Sequence, residues 1–251
     1  MAINVNTVYQ TVLMILNKEQ RGYMTPTEFN KVATQVQLEI FEKYFDDLNQ
    51  QLRVPQADTD YADRQENIDE KIAIFKTFGN ANYVTVNSSL SYFNLPSVDT
   101  YGEAVSFYRM GNVMYDNEKI VQRLDRYDFS YVNRSKLTKP TTLNPVYLYE
   151  NQKLFVKPIS ITSNIQVDYV RKPKDVIWGF TTGSLGQYIH NSQTYSGVVG
   201  DTGSINFELH ESEQSEIILK ILIYAGIVIR DPQIVQAAAA QVQADEINKK
   251  S

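Results

Sequence analysis

Two histidines, His190 and His210, and no cysteine occur in this chain of 251 residues. Thiolate nucleophiles, disulfides and cysteine-ligated zinc or iron–sulfur sites are therefore out of reach. Neither histidine belongs to an HExxH or HxH run or has a carboxylate at metal-ligand spacing, so both read as polar or hydrogen-bonded side chains. Three acidic pairs, Asp46 with Asp47, Asp116 with Glu118 and Glu211 with Glu213, are of the type that hydrolyses glycosidic bonds when set across a cleft. Each stands in a polar stretch that reads as an exposed helix end or turn, and no spacing places two of them face to face. Asp58, Asp60 and Asp63 are arranged loosely as in a calcium loop, but Tyr61 and Ala62 replace the glycine turn and Gln65-Glu66-Asn67 run on into a helical pattern. No GxSxG, no GxGxxG after a strand and no GxxxxGK[ST] phosphate loop occurs. The expectation is a protein without catalytic residues, bound metal or cofactor.

Side chains suited to surface contact are more prominent. There are 17 tyrosines against 11 phenylalanines and one tryptophan, and tyrosine offers a large contact area with a polar tip at small entropic cost. Arg123, Arg126, Tyr127, Tyr131, Arg134, Lys136 and Lys139 interleave basic and aromatic groups as a nucleic-acid surface would. Asp125 and Asp128 interrupt that run and the whole chain has a net charge of −5, which argues against specific nucleic-acid recognition. Arg123, Arg126, Arg134, Trp178, Tyr188 and Tyr195 are the candidate interaction residues. Charge is segregated: residues 1–80 hold 8 basic and 12 acidic groups, residues 81–178 hold 12 and 9, and residues 179–251 hold 4 and 8. Such a pattern suits alternating contacts between neighbouring subunits.

These residues need elements to position them. Val5, Val8, Val12 and Ile15 recur at helical spacing and predict a first helix over residues 6–18. Thr25-Pro26-Thr27-Glu28 supplies an N-cap, a proline at the first helical position and a glutamate placed to close a capping box. It opens a second helix to about Gln51, with one apolar face through Phe29, Val32, Val36 and Ile40 and another through Leu38, Phe41, Phe45 and Leu48. A third helix is expected through Tyr61, Ile68, Ile72, Phe75 and Phe78, with Gly79 ending it. Period-two runs then predict strands at 82–86, 104–108, 146–149, 153–157 and 165–170. Residues 150–152 and 158–164 are short enough for hairpins, Asp116-Asn117-Glu118 reads as a further turn, and a short helix can start at Asp125. Residues 179–203 hold six of the eleven glycines and read as a long loop or flexible hairpin. A buried helix follows, with Ile217, Ile221, Tyr224 and Val228 on one stripe, and a last helix from Pro232 to about Asn248. The fold class expected is α+β: a bundle of N- and C-terminal helices (1–80 and 204–251), an antiparallel β-rich insertion as a sandwich or small barrel (81–178), and the glycine-rich segment 179–203.

The N-terminus shows no basic segment followed by an apolar one, so synthesis in the cytosol is expected. The most apolar run, Ile217 to Ile229, has 13 residues, short of the roughly 20 needed to span a bilayer.

Three segments carry a resemblance. They are Met24 to Asn30 running into Gln37 to Phe45; Leu154 to Pro158 followed by Val167 to Lys174, which contains a YxRxP turn, and Trp178; and Phe207 to Glu211 leading to Ile217 and then Ala225 to Pro232. Together they cover about half the chain. This arrangement resembles the head–tail connector (adaptor, ring or tail-tube-top) proteins of short-tailed bacteriophages, including the crAss-like group. The resemblance implies a virion protein, made in the host cytoplasm, that forms a homo-oligomeric ring of twelve copies between the portal protein and tail or further ring proteins. Packaged DNA would pass through its central channel, and no membrane is involved. The glycine-rich segment matches no element of that family. The alternative expectation is a carbohydrate- or receptor-binding tail component that uses the tyrosine-rich β surface.

Overall fold

A capping box begins the best-defined element. Thr25 N–H donates to Glu28 Oε2 at 2.9 Å, and Glu28 N–H donates back to Thr25 Oγ1 at 3.3 Å, so two of the otherwise unpaired donors at the helix start are satisfied. The computed structural model in which this is seen describes residues 2–18, 23–53, 59–87, 90–98, 104, 106–197, 201–228, 240 and 243. The helix expected from Pro232 to Asn248 lies outside them save for Ala240 and Gln243, both helical. The chain divides into two compact units, Met1–Ile74 with Pro173–Ser251, and Phe75–Lys172.

The first unit is the helical one. Helices α1 (Val5–Lys18), α2 (Pro26–Arg53), α3 (Thr59–Ala73) and α5 (Gln214–Val228) bring the two ends of the chain together. Both α3 and α5 pack on α2, and α1 packs on α5. Val8, Val12 and Leu16 of α1, Phe29, Val36, Ile40 and Phe41 of α2, and Ile217 and Ile221 of α5 are buried, as their three- and four-residue spacing requires. An isolated antiparallel bridge between Ile3 and Phe207 ties the chain start to the segment before α5. Ion pairs join the polar sides of the helices: Lys43 with Glu216 at 3.2 Å, Glu39 with Lys220 at 3.6 Å, and Lys71 with Glu213. Glu213 was expected in an exposed setting but is only 2% exposed, and its ammonium partner is what makes that burial tolerable.

Along α2, Asn30, Thr34 and Gln37 form a polar ladder for an extended segment. Trp178 N–H donates to Asn30 Oδ1 at 2.7 Å, Val176 N–H to Thr34 Oγ1 at 3.1 Å, and Gln37 Nε2 donates to the Lys174 carbonyl at 2.7 Å. Steps of three and four residues on a helix advance about 4.5 and 6 Å, close enough to the roughly 6.6 Å between alternate residues of an extended chain. The helix side chains thus serve residues 174, 176 and 178 as a neighbouring strand would.

The second unit holds two open sheets. Strands β1 (Lys76–Asn80), β2 (Asn82–Asn87), β3 (Leu90–Asn94), β4 (Phe107–Tyr115), β5 (Lys119–Ile120), β6 (Gln122–Arg123), β7 (Val146–Glu150), β8 (Lys153–Lys157) and β9 (Ile165–Arg171) form one sheet in the order β1-β9-β4-β5 and another in the order β2-β3-β8-β7-β6. Among the described residues these strands pair antiparallel except β6 with β7. Val113, Val167 and Tyr169 of the first sheet and Phe93, Tyr147, Leu154 and Val156 of the second belong to one buried cluster. The unit is therefore an α+β insertion of sandwich type, and neither sheet closes into a barrel.

Three expectations are corrected. The third helix stops at Ala73, and Phe78 and Gly79 belong to β1, paired with Asp168 and Val167 of β9; Phe75 is fully buried just before that strand. Strand pairing across some ninety residues of sequence overrides the helical spacing of Ile68, Ile72 and Phe75. Residues 158–164 do not close a hairpin, because β8 and β9 lie in different sheets. The strand expected at 104–108 begins only at Phe107 and runs to Tyr115. The turns at 116–118 and 151–152 do join β4 to β5 and β7 to β8; Asp116, Asn117, Asn151 and Gln152 have φ between 50° and 58°, the left-handed backbone that such tight hairpin turns use.

Candidate interaction surface

Helix α4 (Arg126–Arg134) lies in the crossover between the parallel strands β6 and β7. A crossover helix ordinarily covers the sheet it spans, yet none of the nine residues of α4 is buried. It starts at Asp125, whose carbonyl accepts Phe129 N–H at 2.8 Å, although its side chain makes no cap bond. Arg126 holds the helix start to the end of β7 through a two-pronged pair with Glu150, with Nε to Oε1 at 2.8 Å. The guanidinium hydrogen bonds keep Glu150 below the usual carboxylate range, and Glu150 raises Arg126 in turn. Both groups are solvated, so the pair orients α4 more than it stabilises the unit.

On the free side, Tyr127 and Tyr131, one helical turn apart, are 77% and 66% exposed and stack with centroids 6.4 Å apart and ring planes at 15°. Ile120 before the helix and Leu137 and Leu143 after it are also exposed. Arg123 reaches over the Tyr149 ring at 6.0 Å, and Arg134, Lys136 and Lys139 are exposed at the far end. Residues 119–139 hold six basic and two acidic side chains, a net of +4. A positively charged rim around uncovered aromatic and aliphatic groups is a contact surface by composition, since apolar patches left open on a folded unit favour association.

Tyr188, Tyr195 and Trp178 belong to the helical unit and are placed differently. Strand β10 (Phe180–Thr182) pairs with β11 (Tyr188–His190) as a two-stranded hairpin, and Asp201 accepts from Ser196 Oγ at 2.6 Å and from Gly203 N–H at 2.8 Å. Tyr188 is 40% exposed and meets Phe180 edge-on; Tyr195 is half-buried, with its N–H bonded to the Ser204 carbonyl. Trp178, expected at a partner surface, is 5% exposed. Its ring lies 4.5 Å from Tyr9 and its Nε1–H donates to Asn6 at 3.0 Å, so it wedges the hairpin base into its own unit.

Both histidines lie within hydrogen-bond distance of a serine hydroxyl. His190 packs 5.3 Å from Trp178 and lies 3.2 Å from Ser204 Oγ, which itself donates to the Asn191 carbonyl; burial pushes its pKa down. His210 Nδ1 accepts Ser212 N–H at the start of a 3-10 turn. Among the described residues no group of three or more His, Asp or Glu could hold a metal ion, and no helix is long and apolar enough to cross a membrane. The exposure of α4 had only the alternation of Tyr127, Tyr131 and basic residues as its signal; the polar ladder on α2 had none. No protein-family model matches the chain, and no curated protein is significantly similar to it.

Proposed function

We propose that this chain is a non-catalytic virion protein, a ring-forming head–tail connector subunit that joins portal to tail in a tailed bacteriophage around the DNA channel. The observation that carries the assembly reading is the opposite charge of the two units combined with the uncovered face of α4. Met1–Ile74 with Pro173–Ser251 holds 12 basic and 21 acidic side chains, −9, whereas Phe75–Lys172 holds 12 and 8, +4. A basic unit of one copy set against an acidic unit of the next is a head-to-tail contact, which generates a ring when its rotation closes.

Sedimentation velocity and electron microscopy of the full chain test this. Concentration-dependent closed rings are expected, weakened by raising salt, because exposed charges are screened beyond about 8 Å at physiological ionic strength, and weakened by Tyr127→Ala with Tyr131→Ala. A chain that stays monomeric at high concentration and binds neither portal nor tail proteins refutes the proposal. The exposed stacked tyrosine pair also favours a second reading, a carbohydrate- or receptor-binding tail component. That reading requires glycan or receptor binding that Tyr127→Ala abolishes.

A further inference from the structure

Strand β1 ends at Asn80 and β2 begins at Asn82, with Ala81 between them anchored by its N–H to the Ile165 carbonyl at 2.8 Å. Beside this corner stand the β4–β5 turn and residues 162–164. Asn164 Nδ2 donates to Asp116 Oδ1 at 2.8 Å, and Asp116 N–H donates to the Asn164 carbonyl at 3.1 Å. The three segments enclose a groove of about 580 Å³, within the range of small-molecule sites of about 300–1,000 Å³. Its lining is mostly polar: four asparagines, a serine, a threonine and one charged residue, Asp116. Tyr83 borders the groove, but its ring packs against the core, 5.1 Å from the buried Phe93, on the face of β2 opposite the Asn82 side chain.

The composition discriminates among ligands. Among the described residues no cation lines the groove, which disfavours phosphate and nucleic acid. One carboxylate is too few for a divalent cation, which gathers several charged oxygens. Apolar molecules would leave the amides unpaired. Vicinal hydroxyls both donate and accept, as side-chain amides do, and the Asp116 oxygen not bonded to Asn164 adds a charged acceptor. We propose that this groove is a saccharide-binding site in which Asn82 and Asp116 hydrogen-bond ring hydroxyls. It is independent of the connector reading and of the tyrosine pair on α4.

The test is saturation-transfer NMR on the full chain with methyl glycosides of glucose, galactose, mannose and N-acetylglucosamine. Saturation transfer to at least one is expected. Asn82→Ala, an exposed strand position, and Asp116→Asn, which retains a turn-forming residue, should each weaken binding about tenfold, the worth of one good hydrogen bond. Tyr127→Ala should leave it unchanged, and thermal melts of the variants confirm folding. Absence of transfer to all four sugars overturns the proposal. So does transfer that survives Asn82→Ala combined with Asp116→Asn, or transfer that Tyr127→Ala alone removes.

Discussion

Replacing Gln37 by methionine should destabilise the helical unit out of proportion to the change in shape. Gln37 is 1% exposed, and its amide serves two chain segments at once: Nε2 donates to the Lys174 carbonyl at 2.7 Å and Oε1 accepts Glu208 N–H at 2.9 Å. Methionine fills nearly the same volume, so little cavity term arises. What is lost is a hydrogen-bond partner for each of two backbone groups, at about 1–3 kcal/mol apiece, or roughly 2–6 kcal/mol together. For a body of about 150 residues each kcal/mol lowers Tm by about 2–4 °C, so a fall of about 4 °C at the least is expected. Trp178 is the only tryptophan and lies two ladder positions from Gln37 in the same unit, so urea titration followed by its fluorescence reads this unit selectively. A Gln37→Met midpoint within about 0.5 kcal/mol of the parent, the range of ordinary surface changes, would refute the ladder as a source of stability. Gln37→Glu should be worse than methionine, because an ionised carboxylate keeps the acceptor, loses the donor and adds a buried charge.

Three further outcomes are expected. Gly179→Ala should cost about 1–3 kcal/mol or displace the β10–β11 hairpin, because a Cβ there falls inside contact distance of the Thr202 and Gly203 carbonyls; amide exchange of the hairpin and thermal melts would register it. Thr25→Ala should remove about 1 kcal/mol by opening the capping box, measured by the same urea titration, whereas Thr25→Ser should retain most of it. Hydrogen bonds from Ser196 and Gly203 depress the Asp201 pKa, so the order they confer is complete above the ordinary aspartate value near 3.9 and is lost as pH falls through the lowered one. The Ser196 and Gly203 amide resonances should shift in that acid window, and Asp201→Asn should largely remove the transition; amides indifferent to both would contradict the assignment.

Local chemistry was legible wherever it is self-contained. Thr25 and Glu28 find each other across three residues, and the turns at 116–117 and 151–152 need only residues that tolerate left-handed backbone. The strands at 153–157 and 165–170 show their alternation because one face of each is buried, Leu154 and Val156 in the first and Ile165, Val167 and Tyr169 in the second. The joining of both chain ends in one bundle was also readable, since α2 and α5 each have too much apolar surface to remain alone.

Non-local pairing decided the rest. Phe75 and Phe78 continue a helical spacing, and only the partnership of β1 with β9 makes a strand of that stretch. Asn30, Thr34 and Gln37 look like ordinary polar positions until residues 174–178 lie against them. Trp178 and Glu213, an aromatic suited to a surface and an acid suited to solvent, are interior because Asn6, Tyr9 and Lys71 meet them there. Whether a side chain is surface or core depends on which distant segment covers it, and one chain's residue types cannot specify that covering. The uncovered face of α4 follows from the same rule: the sequence determined its tyrosines and its charge, and the tertiary structure alone decided that no described residue of its own unit covers them.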